Sequence, residues 1–545
     1  MTAYWLRSLL VAITLIVVLA PIAALWLPGA GESVYVAPPT APAAPIGGTG
    51  VMPPSGWGAN AQWPGRLPWQ MLAASLAVAT AAALLAVGVG ASLAAALSLT
   101  DLPGRSFWAT LLLLPFLAPG VVWTLGQTYC YGAGGLLEQW IGDGARPWLA
   151  WLDRGGYAGA TLVLAEIHAP LAMLLVSRGM QSLQQSGFES ARLHFSAAGL
   201  ARWTVGAVRQ ELAAALLLTF ALILGNFTVP HVLQCRLYPI EVYLRLTNYL
   251  DSDGAIRAAT ALALPSLGAT MLFAVAERRR RYASAAAAPA LPKIELGPSR
   301  WLLAAALATY VVLTAGLPVA AMVQQCRSAG DFVAALQSAW PETENTLHTA
   351  VAAAALAVLG GMIVSDRLAR RPGFWMEALA ILPLGVPALV LGMAYSQFYN
   401  RTWPLDLAVL GDSSALLALG LAARGWPFAT RLLTAGRRRI APELEEAAQL
   451  ARLGRLARWR WLRGPLLSDQ AAAAAVLTFV LATGEVEISQ MLCAPGEGTL
   501  ALRLFTFLHF GPTHVAASLA LLQLALATLP VCAYWLFTNR HLHVV

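Results

Sequence analysis

Apolar runs of about 20 residues recur from one end of the sequence to the other, and each is long enough to cross a hydrocarbon core of about 30 Å as a helix. Only 11% of the 545 residues are charged and 58% are hydrophobic, whereas charged residues make up roughly a quarter of a soluble chain. The fold class expected is therefore all-α, a polytopic membrane protein with no room between spans for a separate soluble domain.

The expected spans lie near 8–27, 69–97, 107–129, 158–176, 212–233 and 258–276, then 302–323, 346–364, 374–398, 414–433, 471–492 and 515–537, about 12 in all. The first reads either as an uncleaved span or as a signal peptide cut near Pro21 to Ala24; its counterpart at 302–323 favours the span. A Pro/Gly/Ala-rich stretch at 28–66 reads as an irregular outer loop. Three units follow: a first six-span unit at 1–277, a basic connector at 278–300 that opens on Arg278 to Arg281, and a second six-span unit at 301–545. Most basic residues fall in 178–209, the connector, Arg367 to Arg371 and Arg437 to Arg463. Positive charge marks the cytoplasmic side, so both termini are expected there.

The two units align on each other at an offset of about 257 to 268 residues. Leu114, Pro115, Pro119 and Val122 meet Leu382, Pro383, Pro387 and Val390; Pro170 meets Pro427; Leu218-Thr219-Phe220 and Gly225 meet Leu477-Thr478-Phe479 and Gly484; Leu244-Arg245-Leu246 meets Leu502-Arg503-Leu504. With an even number of spans per unit the repeats run parallel, related by a pseudo-twofold axis along the membrane normal, and a pathway on that axis is the natural place for a solute.

Composition also excludes functions. The net charge of +8 comes almost wholly from arginine, spread over short loops and not gathered on one soluble face, so nucleic acid is not an expected partner. Lys293 is the single lysine and has no glycine-rich context, so the chain has no P-loop and is not expected to be an ATPase. The five cysteines lack metal-ligand spacing, and neither a metal site nor a cofactor is expected. A membrane-embedded enzyme would need a His/Asp/Glu cluster that the sequence does not offer.

The segment 441–467 is a charged island between apolar runs. Pro442 suits a first helical position, Glu443, Glu445 and Glu446 favour the helix N-terminus, and Arg452, Arg455 and Arg458 follow towards the other end. Leu444, Ala447, Ala448 and Ala451 share one face, and Gly454 offers a break before a second short helix ending at Gly464-Pro465. The bland reading of such a loop is an amphipathic segment lying on anionic lipid. Glu446, Ala447 and Ala448, then Gly454 and Pro465, resemble the EAA loop (about 436–467) of the permease subunits of binding-protein-dependent ABC importers. A weaker version at about 179–211 holds Glu189, Ala191 and Gly199; Ser186 and Glu189 are also spaced as a capping box.

The resemblance covers essentially the whole chain as two fused permease units, similar to ferric-iron and thiamine permeases. It implies a translocation pathway in the inner membrane and two copies of a separate ATPase docked on the two loops. It also implies an extracytoplasmic solute-binding protein as partner; ferric iron is the first substrate expectation, with thiamine and polyamine-like solutes behind it. The rival is a 12-helix secondary transporter, because Asp366 to Arg371 resembles the acidic-basic loop of major facilitator proteins.

Ionisable groups at membrane depth are costly and point to function. Glu485 and the repeat-equivalent Asn226 are expected to line the pathway, and Glu487, about 200° further round a continuous helix, to point away. Glu166, His168 and Arg424 read as interhelix contacts. Cys235 and Cys493, equivalent by repeat, read as packing residues, with a disulfide as the alternative.

Overall fold

The computed structural model describes residues 2–26, 68–142, 155–283, 293–370, 373–400 and 413–542. The outer loop expected at 28–66 and the middle of the connector fall outside these residues. Among the described residues the elements are helical, apart from one isolated bridge between Thr100 and Ile294.

Seven helices are long and apolar enough to cross a membrane: Trp69–Leu99, Gly156–Gln181, Ser252–Arg278, Ser299–Gln325, Trp340–Arg370, Trp459–Thr483 and Thr513–Thr538. Three bent pairs raise the number to as many as 10 if each is one span. The expectation of about 12 counts two further helices, the shorter Leu10–Ala24 and Ser414–Arg439.

Four expected spans are not straight, and each has a local cause. Ala118 and Val386, each preceding a proline, are extended, as the ring of a following proline demands. The chain turns by 96° between Arg105–Leu117 and Gly120–Ile141, and by 101° between Phe374–Gly385 and Ala388–Tyr399. The helices Arg209–Leu224 and Gly464–Thr483 stop at Gly225 and Gly484, and short helices, Thr228–Val232 and Glu487–Leu492, resume three residues later.

These breaks meet across the halves. A Cβ on Gly225 would stand 3.0 Å from Cα and Cβ of Pro387, and a Cβ on Gly484 would stand 2.7 Å from Cβ of Pro119. Each half thus lays its glycine break against the proline break of the other. The first helix of each half also lies on the opposite half. Thr2–Ala24 packs on Ala388–Tyr399, where the Tyr395 hydroxyl donates to the carbonyls of Val17 and Val18, both at 3.3 Å. Leu317–Gln325 packs on Gly120–Tyr131. The preceding π turn, Val312–Gly316, presents carbonyls that take Gln127 Nε2 at Thr314 (2.9 Å) and the Tyr131 hydroxyl at Leu313 (2.5 Å).

Because the glycine contacts have no room for a methyl, Gly225→Ala and Gly484→Ala should each lower stability by about 1–3 kcal/mol, the usual cost of overpacking. Gly88→Ala, where nothing lies within 4 Å of an added Cβ, should be neutral or slightly favourable. Unfolding of the three variants in mixed micelles measures the contrast.

Candidate functional site

A cavity of about 150 Å³ lies between the two glycine–proline contacts, with Pro119, Gly225, Ala388 and Gly484 in its wall. Its polar groups are His168, Asn226, Thr228, Arg424, Glu485 and Glu487. The structure therefore brings Asn226 and Glu485 to one cavity, both half-buried. Each sits just past its helix break and serves the next helix: Asn226 Oδ1 accepts from Val229 N at 2.9 Å, and Glu485 Oε1 accepts from Glu487 N at 3.2 Å.

Glu487 differs from the sequence expectation. It lines the same cavity as Glu485 and Asn226, and its Oε1 reaches across to accept from Phe227 N at 2.8 Å, Thr228 N at 3.2 Å and Thr228 Oγ1 at 3.3 Å. The expected 200° separation from Glu485 assumed a continuous helix, and the break at Gly484 resets the phase. Only 4% exposed, Glu487 fastens the second half's break to the first half's unpaired N–H groups. The Arg424 Nη1 donates to the carbonyls of Pro383 (3.3 Å) and Val386 (3.2 Å), so it holds the second proline bend while facing the cavity. His168 is buried with Nδ1 2.8 Å from the Leu164 carbonyl of its own helix. Cys235 and Cys493 are both buried free thiols.

The charged island forms the helix Pro442–Leu450, with Pro442 in its first turn, followed by Arg455–Arg458 and a π turn at Trp459–Arg463. Glu446 and Ala447 are exposed, Ala448 is buried, and Pro465 begins the next long helix. Of the face expected to hold Leu444, Ala447, Ala448 and Ala451, only Ala448 is buried. The turn is not made by Gly454, whose surroundings are open; Arg452 takes the left-handed conformation, at φ 50°. In the first half, Glu189 lies exposed on Gln185–His194, Ala191 is buried, and the Gly199 N–H donates to Ser196 Oγ at 3.3 Å. The capping box does not form: the helix begins at Gln185, so Ser186 lies inside it, and Glu189 Oε1 accepts from Gln185 Nε2 at 2.8 Å.

Sequence reasoning missed Glu445. Its Oε2 accepts from Arg370 Nη2 at 2.5 Å, and its Oε1 accepts from Arg437 and, at 3.0 Å, from Arg463. Asp366 joins the same three arginines at 3.1 to 3.6 Å. In the sequence these arginines fit the positive-inside pattern equally well, so they carry no signal of a carboxylate partner. Asp366 and Arg370, which carried the major-facilitator resemblance, thus brace the helix after Pro442. Burial acts to raise the Glu445 carboxyl, but the guanidinium groups of Arg463, Arg437 and Arg370 outweigh it and hold the group below its ordinary value.

No protein-family model matches the chain. It is 28% identical over 388 residues to the thiamine transport system permease protein ThiP of Brucella suis biovar 1, covering 67% of each chain. The ThiP protein of Brucella abortus strain 2308 is 27% identical over 389 residues, 67% of this chain and 68% of its own. The trehalose/maltose transport system permease protein MalF of Thermococcus litoralis is 26% identical over 183 residues, 30% of this chain and 61% of its own. With its long apolar helices, the chain is a polytopic membrane protein similar to the permease proteins of thiamine and trehalose/maltose transport systems.

Proposed function

We propose that the chain is a fused permease in which two six-span halves, related by a pseudo-twofold axis along the membrane normal, form one solute pathway at their seam. The observation that carries this reading is the reciprocal contact of Gly225 with Pro387 and Gly484 with Pro119, enclosing a cavity lined by both halves. At about 150 Å³ the cavity is smaller than the roughly 300 Å³ or more of small-molecule sites. Passage of a solute therefore requires the halves to part at these contacts.

Two copies of an ATPase subunit dock on the loops, on Glu446, Ala447, Ala448 and Gly454 to Pro465 in the second half and on Glu189, Ala191 and Gly199 in the first. Both termini lie in the cytoplasm, lipid surrounds the spans, and a solute-binding protein delivers cargo from the other side. For the cargo, an organic cation of the thiamine kind is favoured over a ferric-iron complex. The relatives matched over two thirds of the chain are thiamine permeases by name. The cavity also carries two carboxylates, Glu485 and Glu487, against one guanidinium, Arg424, that is spent on backbone carbonyls.

Two outcomes follow. In proteoliposomes with ATPase and binding protein, Glu446→Lys combined with Ala447→Asp should abolish cargo-stimulated ATP hydrolysis with the fold intact; uptake driven by an ion gradient without ATP would establish a secondary transporter instead. In a background free of native cysteines, cysteine at 226 or 485 should react with a small hydrophilic thiol reagent according to the transport state. Cysteine at the buried 487 position should react weakly; equal, state-independent labelling at all three would remove the seam as the pathway.

A further inference from the structure

The two loops are fixed to the membrane helices by different chemistry. At the offset that pairs Glu189 with Glu446, Glu445 corresponds to Phe188 and Arg437 to Met180. Phe188 is fully buried in an apolar cluster with Met180, Leu183 and Leu99, and its ring lies 6.2 Å from that of Trp203. The first docking helix is thus held by an apolar plug.

In the second half the same place is ionic. Asp366 and Arg370 close the C-terminal end of Trp340–Arg370, Arg437 ends Ser414–Arg439, and Arg463 ends the π turn before Gly464–Thr483. All converge on Glu445 of the docking helix. The Arg437 side chain is 6% exposed and that of Glu445 13%, so water screens the centre of the cluster far less than it screens a surface pair. Three guanidinium groups face two carboxylates, and loss of one carboxylate leaves the arginines opposed to one another at close range.

We propose that Asp366, Arg370, Arg437 and Arg463, closed on Glu445, form a positioning cage that sets the angle of Pro442–Leu450 against three membrane helices, and that the first docking helix has no such dependence on charge. The proposal rests on the reading of Pro442–Leu450 as the ATPase-docking helix. Glu445 does not itself contact the partner; it acts by orienting the exposed Glu446 and Ala447. Since the Glu445 carboxyl is held low, the cage is complete at neutral pH and down to the ordinary carboxylate range, and it fails only as pH falls through that lowered value. The groups facing it throughout are Asp366, Arg370, Arg437 and Arg463.

The test uses the whole chain in nanodiscs with the exposed Cys532 replaced by serine. A nitroxide is placed through Ala447→Cys on the second docking helix or Ser190→Cys on the first. Glu445→Gln and Arg437→Gln should each mobilise the label at 447 and leave that at 190 unchanged. Phe188→Ala should do the reverse. The doubly substituted Glu445→Phe, Arg437→Met chain, which copies the apolar plug, should immobilise 447 again.

In the complex with its ATPase, unlabelled Glu445→Gln should lower cargo-stimulated hydrolysis about tenfold, with recovery in the double variant. A label at 447 that stays immobile in both single variants overturns the cage, as does equal mobilisation of the label at 190. If 447 loosens while coupled hydrolysis is unchanged, the cage stands and the docking reading falls. If Glu445→Gln does not fold, Arg437→Gln decides.

Discussion

A helix that breaks inside a bilayer leaves the last carbonyls of one segment and the first N–H groups of the next without water to satisfy them, at several kcal/mol each. Two helices of this chain stop in that way, at Gly225 and Gly484, and the molecule is arranged around how those breaks are satisfied. Asn226 and Glu485 each accept an N–H of the following short helix. Glu487 crosses the seam and accepts the N–H groups of Phe227 and Thr228. Irregular backbone is tolerated at such depth where it is buried in protein or lines a cavity, and here it does both. The cavity and the joint between the halves are thus consequences of one constraint.

Packing follows from the same constraint. Hydrocarbon gives helices no hydrophobic reason to associate, so close approach and hydrogen bonding must hold the halves together. The glycines supply the close approach against Pro119 and Pro387. The exchanged first helices supply side-chain bonds to carbonyls, through Tyr395 on one side and Gln127 and Tyr131 on the other. The ionic cluster at Glu445 ties the helix Pro442–Leu450 to the ends of three longer helices.

Much of this was legible in the sequence, and the remainder failed for identifiable reasons. Continuous apolar runs announced membrane helices, and the offset placed Pro119 with Pro387 and Gly225 with Gly484. That each glycine would meet the proline of the opposite half was not legible, because a run apolar on all sides carries no signal of which face packs where. Glu487 was misassigned because angular reasoning along a helix ends at a break. Glu445 was not legible because its partners come from three other segments, and the arginines that bind it also fit the positive-inside pattern. Arg452 shows the converse: a turn expected at Gly454 forms two residues earlier, in a left-handed conformation that the residue type alone disfavours.

The central claim is that the seam between the halves is the part that opens. Pulsed electron resonance between nitroxides at 226 and 485, in the reconstituted complex with ATPase and binding protein, measures this directly. The distance should lengthen when the complex is trapped with nucleotide and return when nucleotide is released, as a parting of Gly225 from Pro387 and Gly484 from Pro119 requires. A distance that stays constant through the cycle while cargo is moved would contradict the account.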